Sequence, residues 1–599
     1  MIYHCEDHTC NYWDEGEKLP ERCPQCGRKL LRANEADMTG DDWTALGNTL
    51  WDAEASDKKR MVDCFRKAAY LGSAWGVCNL GICMEQGNGV EADPVQAFWL
   101  YQQAVEMGSL NAVCCLGVCY QYGIGTAPDA EKAAELYCKA AEYGSPRGQM
   151  LLARAFHDGI GVEADAAEAV HWVRAAAYQR YGEGMYRLGV CYEYGDGVEQ
   201  NWEQAVHWFR EAAESGVSTA MTDLGYCYEK GCGVEQSWEQ AFSWYRRGAE
   251  CGDLRSMHNL GYCYEKGCGV EQSWEQAFSW YRRGAECGYP VSMSNLGLCY
   301  KRGYGVEQNW QEAVKWYEQG AQCGHLQSMN NLACCYEDGE GVEQNEERAL
   351  YWYRRGAEAG SDYCMYCLGW NYSNGEGVEQ NMTEAIRWYT AAAEGGNADA
   401  MHDLGWHYDH GEGVEQDMKK AICWYERAAE QNHPAAMNSL GECYAMGRGV
   451  PRDLETAMEW YRRAAELGEA MADYNMGWHL EQAGKLSEAY AHYRKAADGN
   501  DDSAWWALGR FYENGVVVAQ DGKEARRCYE TGEKLGSVKC KMRLARCKLL
   551  GIGGRRAKKA GLDLCRQALE LAKESSEKED YGYEAEMNLL RRTIAENES

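Results

Sequence analysis

A dipeptide, Leu-Gly or a close equivalent, recurs along the chain at a fixed interval of 36 residues. The first residues of the recurring pair are Leu80, Leu116, Leu152, Leu188, Leu224, Leu260, Leu296, Leu332, Leu368, Leu404, Leu440 and Met476. Leu46 precedes this series by 34 residues, and Leu508 and Leu544 continue it after steps of 32 and 36 residues. Because a fixed period of this length is typical of stacked supersecondary units, the chain is predicted to hold fifteen such units rather than independent domains.

One unit, Ser256 to Gly288, shows why each repeat should be a pair of helices. Its first half carries apolar residues at helical spacing: Met257, Leu260, Cys263 and Tyr264. Gly267 and Gly269 then end the helix and form a turn, and Ser273 is the predicted N-cap of a second helix. The apolar face of that helix is Ala277, Trp280, Tyr281, Gly284 and Ala285. Trp280 belongs to a series at the repeat period that is predicted to pack the second helix on the first: Trp208, Trp244, Trp280, Trp316, Trp352, Trp388, Trp424 and Trp460.

Composition agrees with an all-α protein and restricts its partners. The chain has 67 Gly and only 8 Pro, which suits short helices separated by glycine turns. Its net charge of −32 should repel nucleic acid and anionic membranes as a whole. The start of the sequence has no export pattern, so we expect the 30 cysteines to be reduced thiols in a cytoplasmic protein.

The repeated residues carry a family resemblance. The pattern Ala-Met-x-x-Leu-Gly-x-Cys-Tyr-x-x-Gly-x-Gly-Val-Glu-Gln, followed by Ala-x-x-Trp-Tyr-x-x-Ala-Ala-Glu-x-Gly, resembles the Sel1-like repeat, a relative of the tetratricopeptide repeat. The resemblance extends from about Asp41 to Arg566, and the unit after Met476 departs from it by lacking the Gly-x-Gly-Val turn. It implies an α-α superhelical solenoid of a bacterial type that binds other proteins. The expected organisation is a small module over residues 1–38, the solenoid over 39–572 and a capping helix over 573–599.

Four cysteines in the first 26 residues predict a metal site. Cys5, Cys10, Cys23 and Cys26 have the spacing C-x4-C-x12-C-x2-C, and the second pair forms a Cys-Pro-x-Cys-Gly knuckle. This knuckle resembles those of zinc ribbons and rubredoxin-like modules. Four thiolates in so short a segment favour structural zinc, which would also supply the folding energy. His8 or His4 remains an alternative to Cys10 as the ligand.

Nine further cysteines recur at one repeat position between the Leu-Gly pair and the tyrosine. They are Cys83, Cys119, Cys191, Cys227, Cys263, Cys299, Cys335, Cys443 and Cys547. A small apolar side chain suits this core-facing position, so these residues are interpreted as buried thiols.

The residue directly after Leu-Gly points away from the core stripe and, by the family resemblance, lines the concave face. This position is mostly apolar or aromatic, although a solvated face should be polar. We therefore predict a protein-binding surface there, formed by Tyr226, Tyr262, Leu298, Trp370, Trp406 and Trp478. The alternative is that a tight superhelix buries these side chains. Asn259, Asn295 and Asn331 precede the Leu of their repeats, where some tetratricopeptide domains bind peptide backbone through Asn.

Two other functions remain as alternatives to a non-catalytic scaffold or sensor. Residues 539–573 hold eleven Lys or Arg and two acidic residues, so this end and the zinc ribbon could serve a nucleic-acid adaptor. The basic residues singled out are Arg546, Arg555, Arg556, Lys558 and Lys559. A weaker alternative is an enzyme centred on the His402 helix, where His402, Trp406, Asp409 and His410 share one helical face. Because the chain has no HExxH, Gly-x-Ser-x-Gly or Walker motif, we predict that it is not an enzyme.

Overall fold

The structure, a computed structural model, describes residues 2–5, 13–15, 30–32, 35, 38–51, 55–578 and 584–598. It divides into two compact units, Met1–Gln308 and Asn309–Ser599. In each unit, consecutive antiparallel helices pack on one another, and neighbouring helix pairs stack in chain order. The predicted all-α solenoid of repeated helix pairs is confirmed for the described residues, which hold 31 helices.

The first unit opens with three short strands and continues with fifteen helices in the described residues. The strands are β1 (Ile2–Cys5), β2 (Trp13–Glu15) and β3 (Leu30–Arg32). The helices are α1 (Gly40–Thr49), α2 (Ala55–Tyr70), α3 (Ala74–Gln86), α4 (Pro94–Glu106), α5 (Leu110–Tyr122), α6 (Ala130–Glu142), α7 (Pro146–Asp158), α8 (Ala166–Tyr178), α9 (Gly182–Tyr194), α10 (Trp202–Glu214), α11 (Ser218–Lys230), α12 (Trp238–Glu250), α13 (Leu254–Lys266), α14 (Trp274–Glu286) and α15 (Pro290–Arg302).

The second unit holds sixteen helices in the residues described. They are α16 (Trp310–Gln322), α17 (Leu326–Asp338), α18 (Glu346–Glu358), α19 (Asp362–Asn374), α20 (Met382–Glu394), α21 (Ala398–His410), α22 (Met418–Glu430), α23 (Pro434–Met446), α24 (Leu454–Glu466), α25 (Ala470–Gln482), α26 (Leu486–Asp498), α27 (Asp502–Asn514), α28 (Gly522–Lys534), α29 (Val538–Leu550), α30 (Lys558–Lys578) and α31 (Glu584–Glu598). The predicted boundary at residue 573 falls inside α30, and α31 packs against α29 and α30.

The three strands form an antiparallel sheet in the order β2-β1-β3. In β1, Tyr3 pairs with Asp14 on one side and with Arg32 on the other. Cys5 ends β1 opposite Leu30 of β3. The other three predicted metal ligands, Cys10, Cys23 and Cys26, lie outside the described residues.

The core of most repeats is a tyrosine on the second helix, held against the Leu-Gly pair of the first. Leu260 and Tyr281 are both fully buried, and a Cβ on Gly261 would lie 2.6 Å from the Tyr281 ring. Only glycine therefore lets the two helices approach this closely around the ring. The Tyr281 hydroxyl donates a hydrogen bond of 2.8 Å to Glu265 at the end of the first helix. The same bond joins Tyr245 to Glu229, so the repeat satisfies its buried hydroxyl in the same way twice.

The turn and the caps follow the sequence prediction. Gly267 is the left-handed C-cap of α13 with φ 72°, and Ser273 accepts a hydrogen bond from the backbone N–H of Gln276 at the start of α14. Gly269 also has φ 72°, and a Cβ there would collide with the carbonyl oxygen of Trp238 in the preceding repeat. The glycine turn thus permits both the reversal of the chain and the stacking of repeats.

The tryptophan series was predicted to lie in the core, and its members pack on the core to different depths. Trp208, Trp244 and Trp352 are buried, whereas Trp280, Trp316, Trp388, Trp424 and Trp460 are half-buried. Arginine guanidinium groups cover several of these rings, for example Arg427 at 4.3 Å from the centroid of Trp424. These tryptophans therefore sit at the edge of the helix interface, where one ring face remains accessible to a cation.

The unit after Met476 has the shorter turn that its sequence predicts. Helix α25 ends at Gln482, Gly484 has φ 75°, and α26 begins at Leu486. Among the described helices, each is too short or too polar to cross a lipid bilayer.

Candidate protein-binding surfaces

In the first unit, three predicted binding residues lie exposed on successive first helices. Tyr226 on α11, Tyr262 on α13 and Leu298 on α15 are 44%, 39% and 39% exposed. We call these three residues the aromatic face of unit 1. Their exposure within this unit argues against burial by the turns of a tight solenoid.

A chain of polar contacts joins this face to the core. Lys266 lies 2.8 Å from the Glu265 carboxylate, and its ammonium nitrogen is 5.9 Å from the centroid of the Tyr262 ring. Glu265 also accepts the hydrogen bond from the buried Tyr281. The duplicated repeat places Lys230, Glu229 and Tyr226 in the same way. The position of each exposed ring is therefore coupled to a buried side chain of the same repeat.

In the second unit, the three remaining predicted aromatic residues are tryptophans. Trp370 on α19, Trp406 on α21 and Trp478 on α25 are 47%, 39% and 44% exposed, and we call them the aromatic face of unit 2. Trp370 and Trp406 line one cleft of about 440 Å³. The two indole rings, on successive first helices of the repeats, therefore border the same concave surface.

The three predicted asparagines are half-buried beside these faces. Asn331 accepts a hydrogen bond of 3.1 Å from Gln327 on the same helix. Asn295 lies close enough to the Tyr281 hydroxyl to act on its ionisation, and burial is the main cause that raises the pKa of Tyr281. Asn259 is half-buried on α13. The role in binding peptide backbone stays a prediction.

The His402 helix does not bring its four predicted residues to one centre. His402 lies 3.0 Å from Asp403 and stacks on His433 with ring centroids 5.2 Å apart. Asp409 is buried and forms an ion pair of 2.9 Å with Arg448. His410 instead stacks on Trp406, with centroids 4.3 Å apart. Within the described residues there is no group of three His, Cys, Asp or Glu that could hold a metal ion.

Part of the predicted basic surface is engaged inside the second unit. Arg546 is half-buried and pairs with Glu513, and Arg556 donates hydrogen bonds to the Leu549 carbonyl at 3.2 Å and to Asn597 at 2.7 Å. The Arg546 pair joins α29 to α27, and the two Arg556 bonds link the end of α29 to α31. The exposed members of the predicted basic set are Arg555, Arg556, Lys558 and Lys559.

The recurring cysteines occupy the core-facing position that their spacing predicts. Eight are buried and Cys191 is half-buried. Burial raises the pKa of Cys263 to about 12, and that of Cys443 to about 11. These side chains therefore remain protonated thiols at neutral pH, in keeping with a packing role.

Comparison with known proteins decides the family. The model of the Sel1 repeat matches thirteen consecutive segments, which together run from residue 76 to residue 537. The chain belongs to the Sel1 repeat family. The Sel1 resemblance drawn from the sequence is therefore confirmed, and the fold is one typically used for protein–protein interaction. A search of curated proteins finds no match.

Two solved structures of Sel1 repeat proteins are similar to this chain. One is c5321, a protective antigen present in uropathogenic Escherichia coli strains, with 32% sequence identity and a TM-score of 0.53. The match covers 75% of this chain and 97% of that one. The other is a Sel1 repeat protein from Oxalobacter formigenes, with 27% identity, 51% and 89% coverage, and a TM-score of 0.41.

Sequence reasoning missed two features of this Sel1 repeat chain. One is the hydrogen bond between the buried tyrosine and a glutamate 16 residues earlier, which the recurrence of both residues at the repeat period could have indicated. The other is a cleft in the first unit lined by Arg147, Arg154 and Arg187. Its signal is a local departure from the repeat pattern, since Arg154 replaces an apolar residue directly after the Leu-Ala pair.

Proposed function

We propose that this protein is a non-catalytic scaffold or sensor that binds a protein partner through its aromatic faces. The observation that carries the proposal is the exposure of Tyr226, Tyr262, Leu298, Trp370, Trp406 and Trp478 at one repeat position. Exposed tyrosine and tryptophan are the residues that most often anchor protein interfaces. The chain is otherwise strongly acidic at −32, so a partner with apolar side chains and a basic rim fits these surfaces.

The test compares partner capture by two triple variants of the full chain. In the first, Tyr262, Trp370 and Trp406 are replaced with Ser, which removes anchors from both faces. In the control, three aromatic residues outside the faces are replaced with Ser: Tyr143, Tyr178 and Tyr351, which are 67%, 70% and 52% exposed. Because a truncated anchor costs about 2 kcal/mol or more of binding energy, the first variant should lose most captured protein and the control should retain it.

Three results would contradict this proposal. Equal capture by both variants would mean that binding occurs elsewhere on the molecule. Early thermal unfolding of the first variant alone would mean that its aromatic residues belong to the core. Loss of the captured material on nuclease treatment, with a steep dependence on salt, would favour the basic end and a nucleic-acid adaptor.

The amino-terminal cysteines are proposed to hold one structural zinc ion. The support is the set of four thiols, Cys5, Cys10, Cys23 and Cys26, together with the pairing of Cys5 opposite Leu30 in the sheet. Leu30 follows Cys26 by four residues in sequence, so the sheet brings two parts of the cysteine-bearing segment together. Zinc would hold this short segment in place because four thiolates supply a complete tetrahedral set.

Zinc content of the purified full chain tests this site. Changing Cys23 and Cys26 together to Ser should lower the metal from about one ion per chain to none, because half of the tetrahedral set is lost. Changing the exposed Cys251 and Cys287 to Ser is the matched control and should leave the metal in place. Helical circular dichroism should stay almost unchanged in both variants, since repeats couple mainly to their neighbours. Metal content that is equal in the two variants would overturn the assignment.

A further inference from the structure

A cleft of about 580 Å³ lies among α7, α8 and α9 of the first unit. Its apolar wall includes Met150, Val170, Val173 and Val190. Arg147, Arg187 and Tyr181 also line the cleft. A concave site with an apolar wall and a few polar groups is the usual form of a small-ligand pocket.

The other charged groups of this cleft largely neutralise one another. His157 lies 2.7 Å from Asp158 and 3.2 Å from Asp196. Arg154 lies 3.3 Å from Asp158 as well. Glu183 is the remaining carboxylate of the lining, and it is exposed. Three arginines therefore balance three carboxylates in the lining, in a chain whose net charge is −32.

Arg147 differs from its repeat counterpart in the acceptors that surround it. Arg255 occupies the same position in a later repeat and forms an ion pair of 3.1 Å with Asp223, which lies 32 residues earlier. The residue 32 positions before Arg147 is Cys115, whose sulfur lies 3.7 Å from the guanidinium. The other acceptor of Arg147 is the neutral side-chain amide of Asn111, at 2.7 Å. Arg147 therefore contacts a cysteine and an amide side chain where Arg255 contacts a carboxylate.

The backbone beside the cleft also departs from the repeat. Arg180 has φ 59°, in a left-handed conformation that Gly144, Gly216 and Gly252 adopt at this position in other repeats. Tyr181 follows at the N-cap of α9 and makes no capping hydrogen bond, whereas Ser145 caps α7. Neither change is confined to this cleft, since Asn432 is also left-handed and Val217 and Tyr289 also begin helices without a side-chain cap.

We propose that this cleft binds a carboxylate joined to an apolar body, with Arg147 and Arg187 on the carboxylate and the valine-lined wall on the apolar body. Guanidinium groups recognise carboxylates through paired hydrogen bonds, and Tyr181 offers a further hydroxyl donor. The ligand chemistry is shared by the carboxyl terminus of a peptide and by a free organic acid. The proposal is independent of the aromatic faces, so either one can fail without the other.

Calorimetric titration of the full chain with three probes tests the site. The probes are acetyl-Leu-Phe with a free carboxylate, the same dipeptide as its amide, and octanoate. At least one carboxylate should bind saturably below about 10 mM, and the amide should not compete with it. Binding of acetyl-Leu-Phe would identify a peptide terminus, and binding of octanoate alone would identify a free organic acid.

Variants connect the binding to the two arginines. Arg147→Gln and Arg187→Gln should each lower the affinity for the carboxylate probe by about tenfold or more, because each removes a charge-assisted contact. Cys115→Asp should weaken it similarly by giving Arg147 the internal carboxylate that Arg255 already has. Arg255→Gln is the matched control and should bind the probe as the unaltered chain does. Thermal melting of each variant identifies any that does not fold. If the Arg147 or Cys115 variant fails to fold, Arg187→Gln decides the test, because Arg187 is not part of the contact with Cys115.

Three outcomes would overturn the proposal. The first is that no carboxylate probe saturates by about 10 mM, and the second is that the amide binds as tightly as the acid. The third is that Arg255→Gln weakens binding as much as Arg187→Gln does.

Discussion

Two neighbouring regions of the first unit differ in how closely they follow the repeat. Residues 224–252 and 260–288 are identical, and the structure gives them the same tyrosine–glutamate bond of 2.8 Å. Residues 146–217 keep the 13-residue helices and the glycine turns but place Val173 where the duplicated repeats have Tyr245 and Tyr281. They also carry the arginine-lined cleft.

The comparison teaches that few positions hold a repeat together. Both regions bury the Leu of the Leu-Gly series, Leu152 and Leu260 among them, and both end the first helix with a left-handed glycine. Where Val173 replaces the ring, Ala153 also replaces the glycine that would face it. The fold tolerates such coupled changes, which leaves the remaining surface free to acquire a binding site.

The largest expected effect separates the buried and the exposed tyrosine of one duplicated repeat. Tyr281→Ala should lower the free energy of unfolding by about 3–5 kcal/mol, because it leaves a cavity in place of a buried ring and removes the hydroxyl that donates to Glu265. Tyr262→Ala should cost within about 0.5 kcal/mol, because that ring is exposed. Hydrogen exchange over residues 254–289 measures both local opening energies. Similar costs for the two changes would remove the distinction between the core and the aromatic face.

A smaller effect is expected from the glycine that faces this ring. Gly261→Ala should cost about 1–3 kcal/mol, because its new Cβ would approach the Tyr281 ring too closely. In a Tyr281→Val background, Gly261→Ala should cost less stability, since alanine facing valine is the pair that Ala153 and Val173 form in the divergent region, residues 146–217. Equal costs in the two backgrounds, measured by hydrogen exchange, would show that ring contact is not the reason for the glycine.

The smallest expected effect concerns the left-handed residue between repeats. Arg180→Gly should stabilise the divergent region by about 0.5–1 kcal/mol, because glycine adopts positive φ without strain. Gly252→Ala should destabilise the duplicated region by about 1 kcal/mol, although no atom crowds that site. Thermal melting, together with hydrogen exchange followed peptide by peptide, measures both changes in stability. Shifts of the same sign in the two regions would contradict the backbone account.

Sequence alone predicted the fold and part of the candidate site. Strict periodicity identifies the helix pairs, and Gly267, Gly269 and Ser273 mark the turn and cap, because these residue types have local conformational causes. The repeat period does not tell fully buried residues from half-buried ones, since neighbours such as Trp280 and Tyr281 both fall on the apolar side of one helix. Their difference in burial depends on how the adjoining helices pack, and arginines of the same helix cover the tryptophan rings.

The cleft and the basic end were harder to predict for a related reason. Arg147 contacts Cys115 and Asn111, which are distant in sequence, and Arg546 pairs with Glu513 on another helix. A sequence pattern shows the type and spacing of charged residues. The partners of those charges depend on how repeats stack.

Hydroxyl-radical footprinting of the unaltered full chain tests the central claim most directly, because it reads both classes of aromatic ring in one molecule. The account predicts ready oxidation of Tyr262, Trp370 and Trp406, which are exposed, and protection of Tyr281, Tyr389 and Tyr425 until the chain unfolds. Equal oxidation of the two sets, or protection of the exposed set in the isolated protein, would contradict the division between a tyrosine core and aromatic faces open to a partner.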